Sequence, residues 1–177
     1  MASAPVVLVA YDPEWPARFA LEQGSLEQVL SPWLQGGVHH IGSTAIPGLA
    51  AKPIIDMLAG VNDLEAAQEA TEALRDQGYV CAPHRAHEAH HFEKPAREPS
   101  DLRYGLHLTE PGSGLWRERL AFRDALRADP SLATRYEALK RRLAVEHSAD
   151  VTSYTTGKRE FVVGVLAPAG IQLRSRT

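Results

Sequence analysis

HHIGSTAIPGLAAKPIIDMLAGV, His39 to Val61, is the stretch that decides how the chain is read. Val38 to Ile41 reads as a short strand, and Pro53 to Val61 as a longer one. Gly42-Ser43-Thr44 follows the first strand directly. Glycine admits positive φ and close approach of a ligand to the backbone. Successive amide N–H groups in such a bend form an anion-binding hollow, and the two hydroxyls add donors. Side chains alternate along a strand, so Ile54, Asp56 and Leu58 share one face and Ile55 and Met57 the other. An aspartate inside PIIDMLAGV needs a partner or a cation. Mg²⁺ takes carboxylate together with phosphate oxygens, which Asp56 and a ligand held by Gly42, Ser43 and Thr44 would supply jointly. Lys52 offers a counter-charge to phosphate. The competing reading is structural: an aspartate that caps the bend or pairs with an arginine.

Around this segment strands and helices intersperse. VVLVAY, Val6 to Tyr11, reads as a strand, followed by a helix with Asp12 as cap and Pro13 in its first position. Trp15, Phe19, Leu26 and Leu30 carry that helix to Ser31-Pro32. Asp63 caps a helix through Leu64, Ala67 and Leu74 that stops at Gly78. Tyr79 to Ala82 reads as a short strand, the proline-bearing stretch after it as hairpin or loop, and Arg103 to Thr109 as a strand. The last third is helical. Leu115, Phe122 and Leu126 share one helix face; Asp129-Pro130 opens the next helix, with Leu132, Tyr136, Leu139 and Leu143 on one side. A final helix turns Phe161, Val162 and Val165 inward and ends before Pro168, leaving IQLRSRT as a frayed tail. The expected class is α/β (α+β): a mixed sheet packed with helices, with a helical C-terminal block.

The 177 residues suit one domain, residues 1–177 with a core of about 6–167. With 44% hydrophobic and 23% charged residues the composition is that of a globular chain. A formal charge of −3 gives no general pull toward nucleic acid or anionic membrane. No apolar run is long enough for a membrane span, and the N-terminus lacks the basic region of a signal peptide. Cys81 is the single cysteine, so a reducing, cytoplasmic setting is expected, with Cys81 a small buried residue.

YDPEWPARF, HIGSTAIPGLAAKPIIDMLAGV, FRDALR and YEALKRRLA resemble the GrpB family across Val6 to Leu166. The resemblance implies a nucleotidyltransferase-like fold. Proteins of that fold carry a Gly-Ser turn, an Asp-hydrophobic-Asp pair on the next strand, and a third carboxylate on a later strand. Gly42, Ser43 and Asp56 match; Leu58 stands where the second aspartate would be. In RYGLHLT the family pattern is similar to His-Leu-His, and this chain has Gly105 and His107. Two-metal transfer needs ligands clamping both ions about 3.5–4 Å apart, which one aspartate and one histidine do not provide. Asp56 and His107 are therefore the catalytic candidates of an incomplete set, with a single weak Mg²⁺ at Asp56 or none. His107 reads equally as a hydrogen-bonded structural residue.

Arg119, Arg123 and Arg127 form a basic stripe on one helix. Arg123 is the expected cavity-facing cation and Arg127 part of a solvated face. The resemblance adds Lys140 and Lys158, through YxxLK and YxxxK, as lesser candidates.

HEAHH, His87 to His91, matches the zinc pattern H-E-x-x-H, which works on a helix. Pro83 and Pro95 limit any helix there to about three turns, which weighs against it. Three functions stand: a nucleotide or phosphate pocket with nucleotidyl or phosphoryl transfer if catalytic; a non-enzymatic binding module for coenzyme A-linked ligands, since related domains are fused to dephospho-CoA kinase; and a zinc hydrolase.

Overall fold

The computed structural model describes residues 5–82, 88–96 and 102–173. Within them the strands are β1 (Leu34–Ile41), β2 (Ile54–Val61), β3 (Val80–Cys81), β4 (His90–Lys94) and β5 (Arg103–Thr109). The helices are α1 (Trp15–Val29), α2 (Thr71–Asp76), α3 (Gly114–Ala128), α4 (Pro130–Glu146), α5 (Val151–Thr156) and α6 (Arg159–Leu166). The sheet runs β1-β2-β5-β4-β3, with β2 and β5 parallel and the other neighbours antiparallel. The mixed sheet and the helical C-terminal block are as the sequence led us to expect.

Register assigns the two faces. Asp56 lies opposite Gly105, and Leu58 opposite His107, while His91 faces His107 across β4–β5. Ile55, Met57, Phe92, Leu106 and Leu108 point to the opposite side, where they bury against Trp15, Leu26 and Leu30 around α1 and Leu74 of α2. Burying a side chain of this size removes it from water at a gain of roughly 1.5–3 kcal/mol each. A second cluster of Ile46, Leu49, Leu126 and Tyr136, with Phe122 and Phe161 against it, seats the C-terminal helices on the loop after the bend. The polar face of the sheet is thereby enclosed by helices.

Caps explain the helical block. Ser113 accepts from the Trp116 amide at 3.2 Å. Asp129 accepts from the Ser131 and Leu132 amides at 2.8 and 3.1 Å, with Pro130 in the first turn of α4. Asp150 accepts from the Ser153 amide at 3.0 Å and opens α5, a helix the sequence reading missed.

Other expectations are corrected. Val6 to Tyr11 is no strand; it forms one bridge, Val9 to Ala51, while the Val6 amide donates to the Ser148 carbonyl at 2.8 Å and Val7 is 55% exposed. The first helix starts at Trp15, since Asp12 turns back to accept from the Glu14 amide. β1 begins at Leu34 rather than Val38, crossing an irregularity at Gly36 and Gly37, whose φ values are 84° and 80°. The region after Asp63 starts as a 3₁₀ segment, Ala66–Ala70, before α2. His90–Lys94 is a strand because Phe92 reaches the core while its neighbours face the other side. In α6 Leu166 is the buried residue, with Phe161 packed on the second cluster and Val162 and Val165 half-buried. Cys81 is exposed, since β3 is the sheet edge. Of the HEAHH segment, His87 lies outside the described residues; His91 sits on a strand, without the helical spacing that motif requires.

Candidate functional site

The bend after β1 is held rigidly. Gly42 has φ 72° and ψ −172°, a conformation open essentially to glycine alone. The Thr44 hydroxyl donates to the Ile54 carbonyl at 3.0 Å and accepts from His40 Nε2–H at 2.9 Å. The Ile54 carbonyl can only accept, which fixes both the hydroxyl proton and the His40 tautomer. The Thr44 hydroxyl proton thus serves the fold, and the Ser43 hydroxyl is hydrogen-bonded to the buried Tyr136. His40 stacks on Phe19 at 4.8 Å, and burial, with Arg127 and Arg123 adding to it, lowers its pKa to about 4.

Beside the bend lies a cavity of about 560 Å³. Asp56 stands in it, between two backbones that lack a side chain. A Cβ on Gly42 would come within 2.6 Å of Asp56 Oδ2, and one on Gly105 within 2.9 Å of Oδ1. Burial raises the Asp56 pKa, while Arg119, Lys52, His91 and Lys158 oppose that shift. The structure therefore brings together Gly42, Ser43, Thr44, Lys52, Asp56 and His107, as the sequence proposed.

Basic side chains dominate the cavity wall: Lys52, Arg103, Arg119, Lys140 and Lys158 against the carboxylates of Asp56 and Glu93. The ammonium groups of Lys158 and Lys52 lie 4.5 and 5.7 Å from the centroid of the buried Tyr154 ring. Lys140, 1% exposed, donates to the Ala50 carbonyl, while Glu137 accepts from the Ala50 amide at 2.9 Å. Burial lowers the Lys140 pKa to about 8. Burial and then Lys52 and Lys140 lower that of Lys158 to about 7. Burial also lowers the Lys52 pKa. Burial disfavours the charged form of each of these amines, and at Lys158 the neighbouring lysines add to it.

Arg123 is not part of the cavity wall. Its guanidinium donates to the His40 carbonyl at 3.2 Å and pairs with Asp124 at 2.7 Å. Arg127 is no free solvated residue either; its Nε–H donates to the Ala45 carbonyl at 2.9 Å. Both clamp the bend to α3, and Arg119, one turn earlier, enters the cavity. The stripe was legible from its spacing, but helix rotation decides which member faces inward. His91, unassigned apart from the zinc motif, also lines the cavity. It stacks on His107 at 4.3 Å, and its Nδ1–H donates to the Ala82 carbonyl at 2.9 Å.

A divalent ion held by the protein alone does not fit here. Across β5 from Asp56 stands Gly105, two residues along β2 stands Leu58, and the charges around the carboxylate are cationic. Among the described residues no group of three or more His, Cys, Asp or Glu side chains forms a metal cluster. No step through a protein-built metal centre follows from this geometry. No helix among the described residues is long and apolar enough to cross a membrane.

Comparison with known proteins agrees with this architecture. The family model described as GrpB protein matches residues 5–167. UPF0157 protein YqkA of Bacillus subtilis is 35% identical over 158 residues, 89% of this chain and 45% of YqkA. Dephospho-CoA kinase of Mycolicibacterium paratuberculosis is 32% identical over 195 residues, 91% of this chain and 45% of the kinase. The chain thus spans less than half the length of either relative. The crystal structure of the conserved protein GrpB from Enterococcus faecalis superposes with a TM-score of 0.81 at 30% identity, covering 92% of this chain and 96% of that one. The GLD-2/RNP-8 complex gives 0.54 at 15% identity over 86% and 60%, a likeness of fold. The fold is nucleotidyltransferase-like.

Proposed function

The chain belongs to the GrpB family, and from that premise we propose that its cavity binds a nucleotide or another phosphate-bearing ligand. One observation carries the reading: five basic side chains and two carboxylates surround a cavity beside the Gly42–Ser43 bend. Phosphate oxygens would take donors from Ser43 and the bend amides. Lys52, Lys158 and Arg119 would supply charge at reduced dielectric, where each such contact is stronger than in water. Lys140 would add field while remaining bound to Ala50.

Asp56 and His107 line the same cavity, and Leu58 occupies the position where the resemblance leads one to expect the second carboxylate. We therefore assign binding, and no transfer step. Mg²⁺ enters this reading only as an ion carried on the ligand's phosphates, with Asp56 as its protein contact. The similarity to a dephospho-CoA kinase favours a second form of the same reading, a non-enzymatic module for a coenzyme A-linked ligand.

Isothermal titration with ATP, inorganic triphosphate, coenzyme A and dephospho-CoA, each with and without Mg²⁺, tests it. Saturable binding of at least one, weakened in Lys52→Met, supports the pocket. Preference for coenzyme A over ATP selects the second form. Absence of binding by all four at millimolar concentration to folded protein rejects both. A product assay with the bound nucleotide separates a module from an enzyme.

A further inference from the structure

The cavity holds more positive charge than it neutralises, and Lys158 is where this imbalance is sharpest. Lys158 follows Gly157 between α5 and α6 and lays its ammonium over Tyr154. Among the described residues no hydrogen bond or ion pair engages that ammonium. Around it stand Lys52 before β2, Asp56 on β2, Arg119 on α3 and Lys140 on α4, three cations to one carboxylate. Sheet groups on the same cavity, Glu93 and Arg103, pair with each other at 3.8 Å, and His91 stacks on His107. Neither pair supplies Lys158 with a counter-ion.

We propose that Lys158 is the charge-selecting residue of the cavity: its ammonium, lying over Tyr154 on a wall crowded with Lys52, Arg119 and Lys140, favours a ligand bearing a dianionic terminal phosphate over a monoanionic phosphodiester. This rests on the phosphate-ligand reading and narrows it to phosphomonoesters and polyphosphates. A third fixed cation beside Lys52 and Arg119 costs energy in the free cavity, and a terminal phosphate of charge near −2 offsets that cost. A phosphodiester, with charge −1, leaves the repulsion largely in place. Burial and the neighbouring lysines also lower the Lys158 pKa to about 7, so a dianionic ligand that favours its charged form should bind with uptake of a proton.

The test is titration of inorganic triphosphate, AMP and cyclic AMP in EDTA, at pH 7 and 8, in two buffers of different ionisation enthalpy. The second ionisation of the AMP phosphate lies at about 6, so AMP changes little across this window and carries the proton count, while triphosphate, whose last ionisation overlaps the window, reports affinity at pH 7 only. AMP should bind with uptake of about 0.5 proton at pH 7, more at pH 8, and affinity falling toward tenfold per pH unit. Cyclic AMP should bind at least tenfold more weakly than AMP. Lys140 also begins to titrate near 8, so the Lys158→Arg variant isolates the residue. Arginine stays charged, so this variant should lose the proton uptake on AMP binding at pH 7, whatever its remaining affinity. Binding without proton uptake in the wild type, uptake unchanged in Lys158→Arg, or equal affinity for AMP and cyclic AMP would each overturn the proposal while leaving the phosphate pocket standing. Failure of all three ligands to bind would reject the pocket itself.

Discussion

Asp56 Oδ1 occupies the space that a side chain at Gly105 would need: a Cβ there would lie 2.9 Å from it. The two residues face each other across the parallel β2–β5 pairing. The acid is thus positioned by the absence of a side chain on one neighbour, and by Gly42 on the other.

Gly105→Ala should displace the Asp56 carboxylate and destabilise by about 1–3 kcal/mol, the usual cost of overpacking. Gly42→Ala adds the strain of φ 72° to a 2.6 Å clash with Asp56 and should cost more. Urea unfolding of both variants checks the order.

Thr44→Val should destabilise by about 1–3 kcal/mol, because it leaves the buried His40 Nε2–H and the Ile54 carbonyl without their partner. Ser43→Ala removes the partner of the buried Tyr136 hydroxyl and should destabilise by about 1 kcal/mol, and it should also weaken phosphate binding. Paired unfolding and titration experiments separate these two hydroxyls, which adjoin in sequence and differ in role.

His40 gives an acid limb to stability. Its folded pKa is about 4, below the ordinary 6.5. Between these values the unfolded chain binds a proton that the folded chain does not, so stability falls as pH drops from 6.5 toward 4. The loss attributable to His40 is roughly 1–3 kcal/mol across the window. Unfolding free energies at pH 7, 5.5 and 4.5 should show a shallower fall in His40→Gln than in wild type.

Much of this was legible in the sequence. The alternation of PIIDMLAGV placed Asp56 on the face opposite Ile55 and Met57, and the Gly-Ser bend fell beside it, because strand periodicity and glycine's freedom act locally. What stayed hidden depends on contacts between distant segments. β4 shows in the fold because Phe92 meets the core, and HHFEK carries little sign of that. The first half of β1 lies behind the irregularity at Gly36-Gly37. The stripe at Arg119, Arg123 and Arg127 was visible, yet which arginine faces the cavity depends on how α3 seats against the bend. Lys140 and Lys158 matter through burial, a property of the assembled helices.

Binding through crowded cations should weaken with added salt, though less steeply than a surface contact would, because the cavity is partly screened from bulk ions. Titration of triphosphate at 50 and 300 mM NaCl, together with Arg119→Gln, measures this. Arg119→Gln should weaken binding more than Arg123→Gln, whose main effect should be on stability through the lost bond to His40.

The central claim is that the hollow between the Gly42–Ser43 bend and Asp56 accepts a phosphate anion. A crystal grown with inorganic triphosphate measures it most directly. Phosphate density within hydrogen-bonding distance of Ser43 and in contact with Lys52 or Lys158 is the predicted result. A hollow holding only solvent at saturating triphosphate, in wild-type protein shown to be folded, would contradict it.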